Sequence, residues 1–488
     1  MYRTHAMRPP LVLVALLLSL LASGCSEGLV SGVSPSDDAE LGDPPPESAD
    51  YDAGPYPDDI GPEDFPIPPE DGGRKKLDPP PWDEDAGEPP APPEPPPEDA
   101  GDAPWPDDDA GLPTVPDPPT DGGASPSDHD AGAALPALLP RYSAVFSTRP
   151  QDNAPDAAVE NLLLALIRRA VPGSRIRVAV YHFTRGRVSA ALVAAYRRGV
   201  DVRVLLDGGV RAVLDDPDAA EITEAPTLIL GLGRSRVTLC RAPGGACLGT
   251  GIMHHKTFLF SDLGGGSRSV VVQASHNLTT AQTHLHNNAV VIRGDSALFA
   301  AYERTFEQQR RDVVQENYYR ASAGTFRTRA YFFPRAAGDT AVSAIDNVSC
   351  EGGGRIRAAM AFFTNARLEV ARALARRQRE GCGVEVVVGD SGIRVGRQVL
   401  AALRDAGVRV TRYPARSGAW GLHSKYLLID ARYGGSSARR RLVFTGSHNW
   451  TRGALRDNDE TMLRVEDDGV FNAFMADWAH VRAAAVRR

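Results

Sequence analysis

The sequence after residue 140 contains the same succession of segments twice, and this repeat constrains the fold more than any other feature. Each copy begins with an arginine-flanked apolar stretch that ends in Phe-Thr, at residues 175–184 and 355–364. An alanine- and arginine-rich helical stretch, a glycine and a valine-rich stretch follow in both copies. Strand-like segments that alternate with helical segments predict an α/β fold. We therefore expect two lobes, residues 141–318 and 319–488, each a mixed β-sheet flanked by helices.

Each copy also contains a histidine two positions before a lysine, His254 with Lys256 and His423 with Lys425. Five of the 54 lysines and arginines precede residue 141, and of the 49 that remain only these two are lysines. Lysine is a compact point charge whereas arginine is a planar fork, so the two are not equivalent where a tetrahedral phosphate must be held. Keeping lysine at these two positions alone indicates a specific role.

The next strand-like segment of each copy ends in a serine and an asparagine two positions apart. These are Ser275 with Asn277 and Ser447 with Asn449. Residues two apart on a strand point to the same face, so each half is expected to assemble one half-site. If the lobes pack about a pseudo-twofold axis, the two histidines face each other across one phosphodiester. One histidine attacks phosphorus and the other protonates the leaving oxygen, while the lysines, serines and asparagines hold the non-bridging oxygens. This chemistry needs no metal or other cofactor.

The second copy resembles the signature of the phospholipase D superfamily. The matching residues are His423, Lys425, Asp430, Gly446, Ser447, Asn449 and Glu460. The resemblance implies a two-lobed fold with the active site at the lobe interface and phosphodiester transfer through a histidine intermediate. In this family the nucleophile is commonly in the first copy, which implies that His254 is the nucleophile and His423 the acid.

The first copy departs from this signature at two structural positions. Ser261 stands five residues after Lys256, where the second copy has Asp430, and Ala274 replaces the glycine before the serine. Strand alternation places Asp430 on the face opposite His423, which favours a structural role although the residue belongs to the signature. Ser261 is then expected to affect stability rather than catalysis.

A third departure concerns the carboxylate that orients a catalytic histidine. Counted from each Ser-x-Asn, the position of Glu460 corresponds to Asn288 in the first copy. In the family a carboxylate here accepts a hydrogen bond from the histidine ring, whereas an amide oxygen fixes the tautomer but stabilises the imidazolium less. On this counting only His423 has a carboxylate candidate, so the assignment of nucleophile and acid stays open.

Charge and composition change abruptly along the chain. Residues 26–140 hold 30 of the 62 acidic side chains and are rich in proline and glycine, which predicts a disordered, extended linker. Residues 141–488 carry a net charge of about +17, which favours anionic partners, either nucleic acid or an anionic lipid surface. Before the linker, Arg3 and Arg8 precede an apolar run at residues 11–21 that is too short for a confident membrane span.

The first 25 residues resemble a bacterial lipoprotein signal, in which Cys25 becomes the lipidated first residue. We expect an exported protein held by this lipid in the outer membrane or periplasm, with ordinary secretion as the alternative. The other four cysteines, Cys240, Cys247, Cys350 and Cys382, form an even set that favours disulfides in an exported chain. Their pairing stays open, and their spacing does not suggest zinc.

Together these features predict a monomeric phosphodiesterase of phospholipase D type that hydrolyses phospholipid to phosphatidic acid and free head group. The first alternative is a metal-independent endonuclease of the same superfamily, which the basic charge also fits. The second alternative is a binding protein with a decayed site, motivated by Ser261 and Asn288.

Overall fold

The computed structural model describes residues 136, 138–148, 154–213, 223–242, 244–315, 317–325, 327–389, 394–413 and 421–486. The predicted signal peptide, Cys25 and nearly all of the predicted linker lie outside the described residues. Leu139 belongs to the end of that linker, yet its side chain is only 4% exposed and its N–H donates to Ser267 Oγ at 3.1 Å. The folded body therefore starts slightly before residue 141.

The first sheet contains seven strands in the described part of the chain, in the order β1-β7-β6-β5-β2-β3-β4. They are β1 (Tyr142–Ser147), β2 (Arg175–Val180), β3 (Asp201–Leu206), β4 (Val237–Leu239), β5 (Lys256–Asp262), β6 (Arg268–Ala274) and β7 (Asn287–Ile292). Strands β2, β3 and β4 are parallel, whereas all other neighbours are antiparallel. The β2–β3 connection passes through a helix, which is what a parallel pair requires.

The second sheet has nine strands among the described residues, in the order β13-β12-β11-β14-β15-β16-β9-β8, with β10 paired to β14. They are β8 (Arg320–Ala323), β9 (Thr328–Phe333), β10 (Val348–Ser349), β11 (Arg355–Met360), β12 (Gly383–Gly389), β13 (Arg409–Tyr413), β14 (Lys425–Tyr433), β15 (Arg439–Gly446) and β16 (Glu460–Val465). The run β16-β15-β14-β11-β12-β13 repeats the run β7-β6-β5-β2-β3-β4 of the first sheet. The predicted pair of mixed sheets is thereby confirmed.

Helices cover both sheets. They are α1 (Ala158–Arg169), α2 (Gly186–Arg197), α3 (Ala225–Leu232), α4 (Ser296–Arg311), α5 (Thr340–Asp346), α6 (Leu368–Arg379), α7 (Arg397–Asp405), α8 (Arg452–Arg456) and α9 (Asp468–Val486). Helices α1 to α3 share an apolar core with one face of the first sheet, and α5 to α7 do the same on the second. The remaining faces of the two sheets meet in a central core that also contains side chains of α4 and α9.

The strands are apolar on both faces because each sheet is buried on both sides. In β5, Phe258 and Phe260 pack in the core under α1 to α3, whereas Leu259 between them packs in the central core. In β14, Ile429 packs in the core under α5 to α7, whereas Leu428 packs in the central core. The central core joins the two lobes and fixes the position of their sheet ends relative to each other.

Two disulfides are present, Cys240–Cys247 and Cys350–Cys382. The first closes a short loop after β4, and the second connects the region after β10 to the start of β12. No helix within the described ranges is both long enough and apolar enough to cross a bilayer.

Candidate active site at the lobe interface

The two His-x-Lys segments meet where each lobe passes a short stretch of chain across to the other. Met253 forms a parallel bridge with Asp459 of the second lobe, and Leu422 forms the matching bridge with His286 of the first. The N–H of His254 donates to the carbonyl oxygen of Asp459 at 2.9 Å. The N–H of His423 donates to the carbonyl oxygen of His286 at 3.0 Å. Each catalytic candidate is thus positioned by backbone of the opposite lobe.

The histidines precede their strands, which begin at the lysines. Each lysine side chain bends back onto the histidine two positions before it: Lys256 Nζ donates to the His254 carbonyl oxygen at 2.7 Å, and Lys425 Nζ to that of His423 at 2.5 Å. Both lysines are essentially buried, and the two histidines are 7% and 8% exposed. The site is a small, largely buried cluster at one end of both sheets.

The imidazole rings have unlike partners, and both partners come from the opposite lobe. His254 Nδ1 lies 2.8 Å from Glu460 Oε1, at the start of β16. His423 Nδ1 lies 2.9 Å from Asn287 Oδ1, at the start of β7. An acceptor at Nδ1 holds the proton there, which leaves Nε2 as the ring nitrogen for chemistry. A carboxylate orients one histidine and a neutral amide orients the other.

This arrangement corrects the prediction that Asn288 corresponds to Glu460. The N–H of Asn288 donates to the Oγ of Ser275, 13 residues earlier, at 3.0 Å. The equivalent bond of the second lobe joins the N–H of Thr461 to the Oγ of Ser447, 14 residues earlier, also at 3.0 Å. The first copy is therefore one residue shorter between the serine and the strand, and the true counterpart of Glu460 is Asn287. The side chain of Asn288 instead donates to Thr445 Oγ1 at 2.7 Å.

The pairing across lobes also reverses the carboxylate assignment. Counting residues within one copy suggested that the carboxylate of Glu460 orients the ring of His423. In the structure, Glu460 contacts His254 of the other copy. The histidine with the carboxylate is thus the one in the first copy, where the family resemblance places the nucleophile.

The serine of the first motif supports the ring partner of His423. Ser275 Oγ donates to Asn287 Oδ1 at 3.0 Å and so fixes the amide that faces His423. The side-chain oxygens Oδ1 of Asn277 and Asn449 have no hydrogen-bond partner within the part of the chain that the structure describes. An amide oxygen is an acceptor, so the predicted hold on a non-bridging oxygen of the substrate would come from the Nδ2 donors of these two side chains.

Asp430 does not belong to the site. Its carboxylate forms an ion pair with Arg439 near the opposite end of β14 from Lys425. Ser261, at the matching position of β5, accepts the N–H of Arg175 at 2.8 Å. Both residues tie neighbouring strands together, so Asp430, although part of the signature and a candidate site residue, lies outside the catalytic cluster and takes the structural role that strand alternation favours.

Burial dominates the electrostatics of the cluster. It lowers the pKa of Lys256 to about 7, against the opposing effect of Glu460, and together with the charge of Lys256 it lowers the pKa of Lys425 well below the usual value. The pKa values of His254 and His423 are also well below the usual value, first through burial and then through the lysine charges. Burial raises the pKa of Glu460 to about 8, although Lys256 counteracts this. A bound anion would favour the charged forms of all four cations, so the cluster suits a phosphate.

Sequence reasoning missed Asp459, the neighbour of Glu460. This buried carboxylate accepts the N–H groups of Cys247, Leu248 and Gly249 at 2.9, 3.1 and 2.7 Å, together with Gln309 Nε2 at 3.2 Å. Burial raises its pKa to about 6. Asp459 thus fastens the first disulfide loop to the segment that carries Glu460. Its place beside Glu460 is the only signal in the sequence, and no motif includes it.

Replacing Asp459 with alanine is expected to lower the free energy of unfolding by about 3 kcal/mol or more, because several buried donors lose their acceptor. Urea unfolding followed by circular dichroism measures this. Asp457→Asn is the matched control, since Asp457 pairs with the largely exposed Arg452 and such pairs contribute about 0–1 kcal/mol. Equal destabilisation by the two variants would contradict the assigned role.

The comparisons with known proteins agree with this architecture. A family model described as "Cardiolipin synthase, PLD-like domain" matches residues 163–310 and 349–481. The mitochondrial cardiolipin hydrolase of Danio rerio is 27% identical over 119 residues, which are 24% of this chain and 48% of that protein. The chain spans about half the length of the curated relatives it matches.

Solved structures that resemble the chain include phosphatidylserine synthase of Haemophilus influenzae Rd KW20, with a TM-score of 0.47 and 14% identity over 73% of this chain and 87% of that one. Nuc from Salmonella typhimurium, described as a phospholipase D family member, has a TM-score of 0.26 and 23% identity over 35% of this chain and 95% of that one. Because the family model matches more than half of the 488 residues, in one segment of each lobe, the chain belongs to the PLD-like domain family.

Proposed function

We propose that this protein is a phospholipase D-type phosphodiesterase that hydrolyses phospholipid to phosphatidic acid and the free head group through a phosphohistidine. The observation that carries the proposal is the pair of imidazoles at the lobe interface, one oriented by a carboxylate and the other by an amide. Two histidines that meet beside two buried lysines are suited to a phosphodiester.

In the first step, Nε2 of His254 attacks phosphorus, and the bond from phosphorus to the head-group oxygen breaks. The leaving oxygen takes the proton from Nε2 of His423, which is charged once the substrate's phosphate is bound. The ionised Glu460 accepts a hydrogen bond from the Nδ1–H of His254 and stabilises the positive charge that develops on this ring. Lys256 and Lys425 balance the charge on the non-bridging oxygens.

In the second step, neutral His423 takes a proton from water, whose oxygen attacks phosphorus and releases His254. The products are phosphatidic acid and the head-group alcohol. The neutral amide of Asn287 keeps the ring of His423 in one tautomer without stabilising its imidazolium strongly, so His423 remains an effective acid. The unlike partners of the two rings therefore suit their unlike tasks.

A phospholipid substrate is supported by the names of the matching family model and of the curated relative, which both refer to cardiolipin. The predicted lipid anchor at Cys25 would also keep the chain at a membrane. An endonuclease is the second candidate, favoured by the net charge of about +17 after residue 140. The third hypothesis, a decayed binding protein, keeps one motivation: Ser261 and Asn288 do not face a catalytic ring, but the amide in the place of Glu460 is Asn287, which contacts His423.

The test uses the whole protein in EDTA with mixed micelles of phosphatidylcholine, phosphatidylserine or cardiolipin, and separately with plasmid DNA. We expect release of head group and formation of phosphatidic acid, measured by mass spectrometry. Cleavage of DNA without lipid turnover would establish the nuclease instead. Absence of any turnover would contradict both enzymatic candidates.

A further inference from the structure

A further cationic side chain, that of Arg394, lies beside the histidine and lysine of the second copy. The residue is 2% exposed, and its Nη1 donates to the carbonyl oxygen of Leu422, the residue before His423, at 3.4 Å. Its guanidinium carbon lies 4.9 Å from the centre of the Phe362 ring. The positive charge of Arg394 contributes to the lowered pKa values of both His423 and Lys425. A buried guanidinium thus extends the cationic cluster on one side.

At the matching strand end of the first copy, the described residues hold a carboxylate in place of this guanidinium. Leu206 pairs with Val180 as Val388 pairs with Met360, so the residues that follow, Asp207 and Gly389, are equivalent. A Cβ at Gly389 would lie 2.9 Å from Arg394 Cδ, so glycine at this position leaves space for the arginine side chain.

Asp207, in contrast, carries a carboxylate that accepts the N–H groups of Gly209 and Met253 at 2.8 Å each. The half-site of His254 is therefore flanked by a negative group and the half-site of His423 by a positive one. This difference in sign is built into two equivalent strand ends and does not follow from the duplicated motif.

The geometry of displacement at phosphorus relates this difference in charge to the leaving group. The attacking and leaving atoms lie roughly in line on opposite sides of phosphorus, so a leaving group protonated by His423 departs on the side of Arg394. A guanidinium presents a planar fork of donors that matches a carboxylate or phosphate, and it does so most strongly in a desolvated position.

We infer that Arg394 binds an anionic group of the departing head group, so that the protein prefers phospholipids whose head group carries a carboxylate or a second phosphate. This inference rests on the proposed phospholipase activity. It makes Arg394 a residue that determines specificity, in direct contact with substrate, and it adds an anion subsite beyond the phosphate that reacts.

Matched lipids test the inference. Phosphatidylserine differs from phosphatidylethanolamine by one head-group carboxylate, and cardiolipin differs from phosphatidylglycerol by a second phosphatidyl group. We expect the wild type to have the higher kcat/KM for the first lipid of each pair. Arg394→Gln is expected to reduce the ratio of kcat/KM values within each pair by about 10- to 100-fold, as for a lost charge-assisted hydrogen bond.

Arg397→Gln is the matched control, because Arg397 is exposed at the start of α7 and its loss changes the net charge equally. We expect this control to retain the wild-type ratios. Gly389→Ala should displace the Arg394 side chain without removing its charge and should also lower the ratios. If Arg394→Gln does not fold, Gly389→Ala and Arg394→Lys are compared with the wild type instead. Both are expected to lower the ratios of kcat/KM values within the lipid pairs. Ratios that stay at the wild-type value in these variants would overturn the inference.

A binding measurement separates this inference from the proposed function. Calorimetric titration with pyrophosphate and with orthophosphate reports the second anion subsite without turnover. We expect the wild type to bind pyrophosphate more tightly and Arg394→Gln to lose most of that difference. If no lipid is hydrolysed but this loss is seen, the phospholipase proposal fails and the anion subsite stands. If the variant retains the preference for pyrophosphate, the subsite is refuted even where lipids are hydrolysed.

Discussion

Replacing His254 with alanine is expected to lower kcat by at least about 10⁴-fold, because the nucleophile that forms the covalent intermediate is removed. Head-group release from phospholipid micelles measures the loss. His480→Ala is a suitable control, since His480 is exposed on α9 and its ring packs edge-on against His286, with 5.6 Å between ring centres, and does not react. The control should retain activity within about threefold, as expected for an exposed residue away from the reacting atoms.

His423→Ala separates the roles of the two histidines. A p-nitrophenyl phosphodiester has a leaving group that needs no proton, so this variant should complete the first step and stall at the second, which requires a base. We expect a burst of nitrophenol close to one equivalent and a phosphorylated His254 in peptide mass spectrometry. A covalent adduct on His423 in the His254→Ala variant would show that the assignment is reversed.

Replacing Glu460 with glutamine is expected to lower kcat by about 10³- to 10⁴-fold, the cost of exchanging a carboxylate for an amide behind a catalytic histidine. The amide oxygen can still accept a hydrogen bond from the Nδ1–H of His254, but it does not stabilise the positive charge that forms as Nε2 bonds to phosphorus. Single-turnover rates at saturating substrate measure the change. Unchanged circular dichroism would exclude misfolding as its cause.

Asn287→Asp provides the matched exchange on the other ring. A carboxylate beside Nδ1 of His423 raises the pKa of this histidine, so the fraction in the acidic form persists to higher pH. We expect the alkaline limb of the kcat profile to move upward in pH while the maximal rate falls, because the acid is weaker. Equal effects of the Glu460 and Asn287 exchanges on the pH profile would contradict the division of labour between the rings.

Much of the fold follows from patterns that act locally. The arginine-flanked apolar stretches at 175–184 and 355–364 predict strands, and β2 and β11 occupy interior positions in the two sheets. The two disulfides join cysteines that an even count made candidates for pairing, although only the structure decides which join. Duplication was sufficient to predict two equivalent lobes because each lobe is built mainly from contacts within its own copy.

Counting residues failed at the active site for an identifiable reason. It related Glu460 to Asn288 because it assumed equal lengths for the segments that precede β16 and β7, whereas those segments differ by one residue. One residue changes which side chain of a strand faces the cluster, since neighbours point to opposite faces. Asp430 was already suspect by the same alternation, and its ion pair with Arg439 places it with the structural residues.

The sequence by itself determined the two lobes, the paired histidines and lysines, and the serines and asparagines that follow them, because short-range spacing on strands encodes these features. Only the tertiary structure decided which residues contact the rings: Glu460 contacts His254, 206 residues away, and Asn287 contacts His423, 136 residues away. It also placed Arg394 beside the second half-site. These contacts depend on how the two sheets dock through their shared apolar core, and docking is set by packing over whole surfaces that no local pattern records.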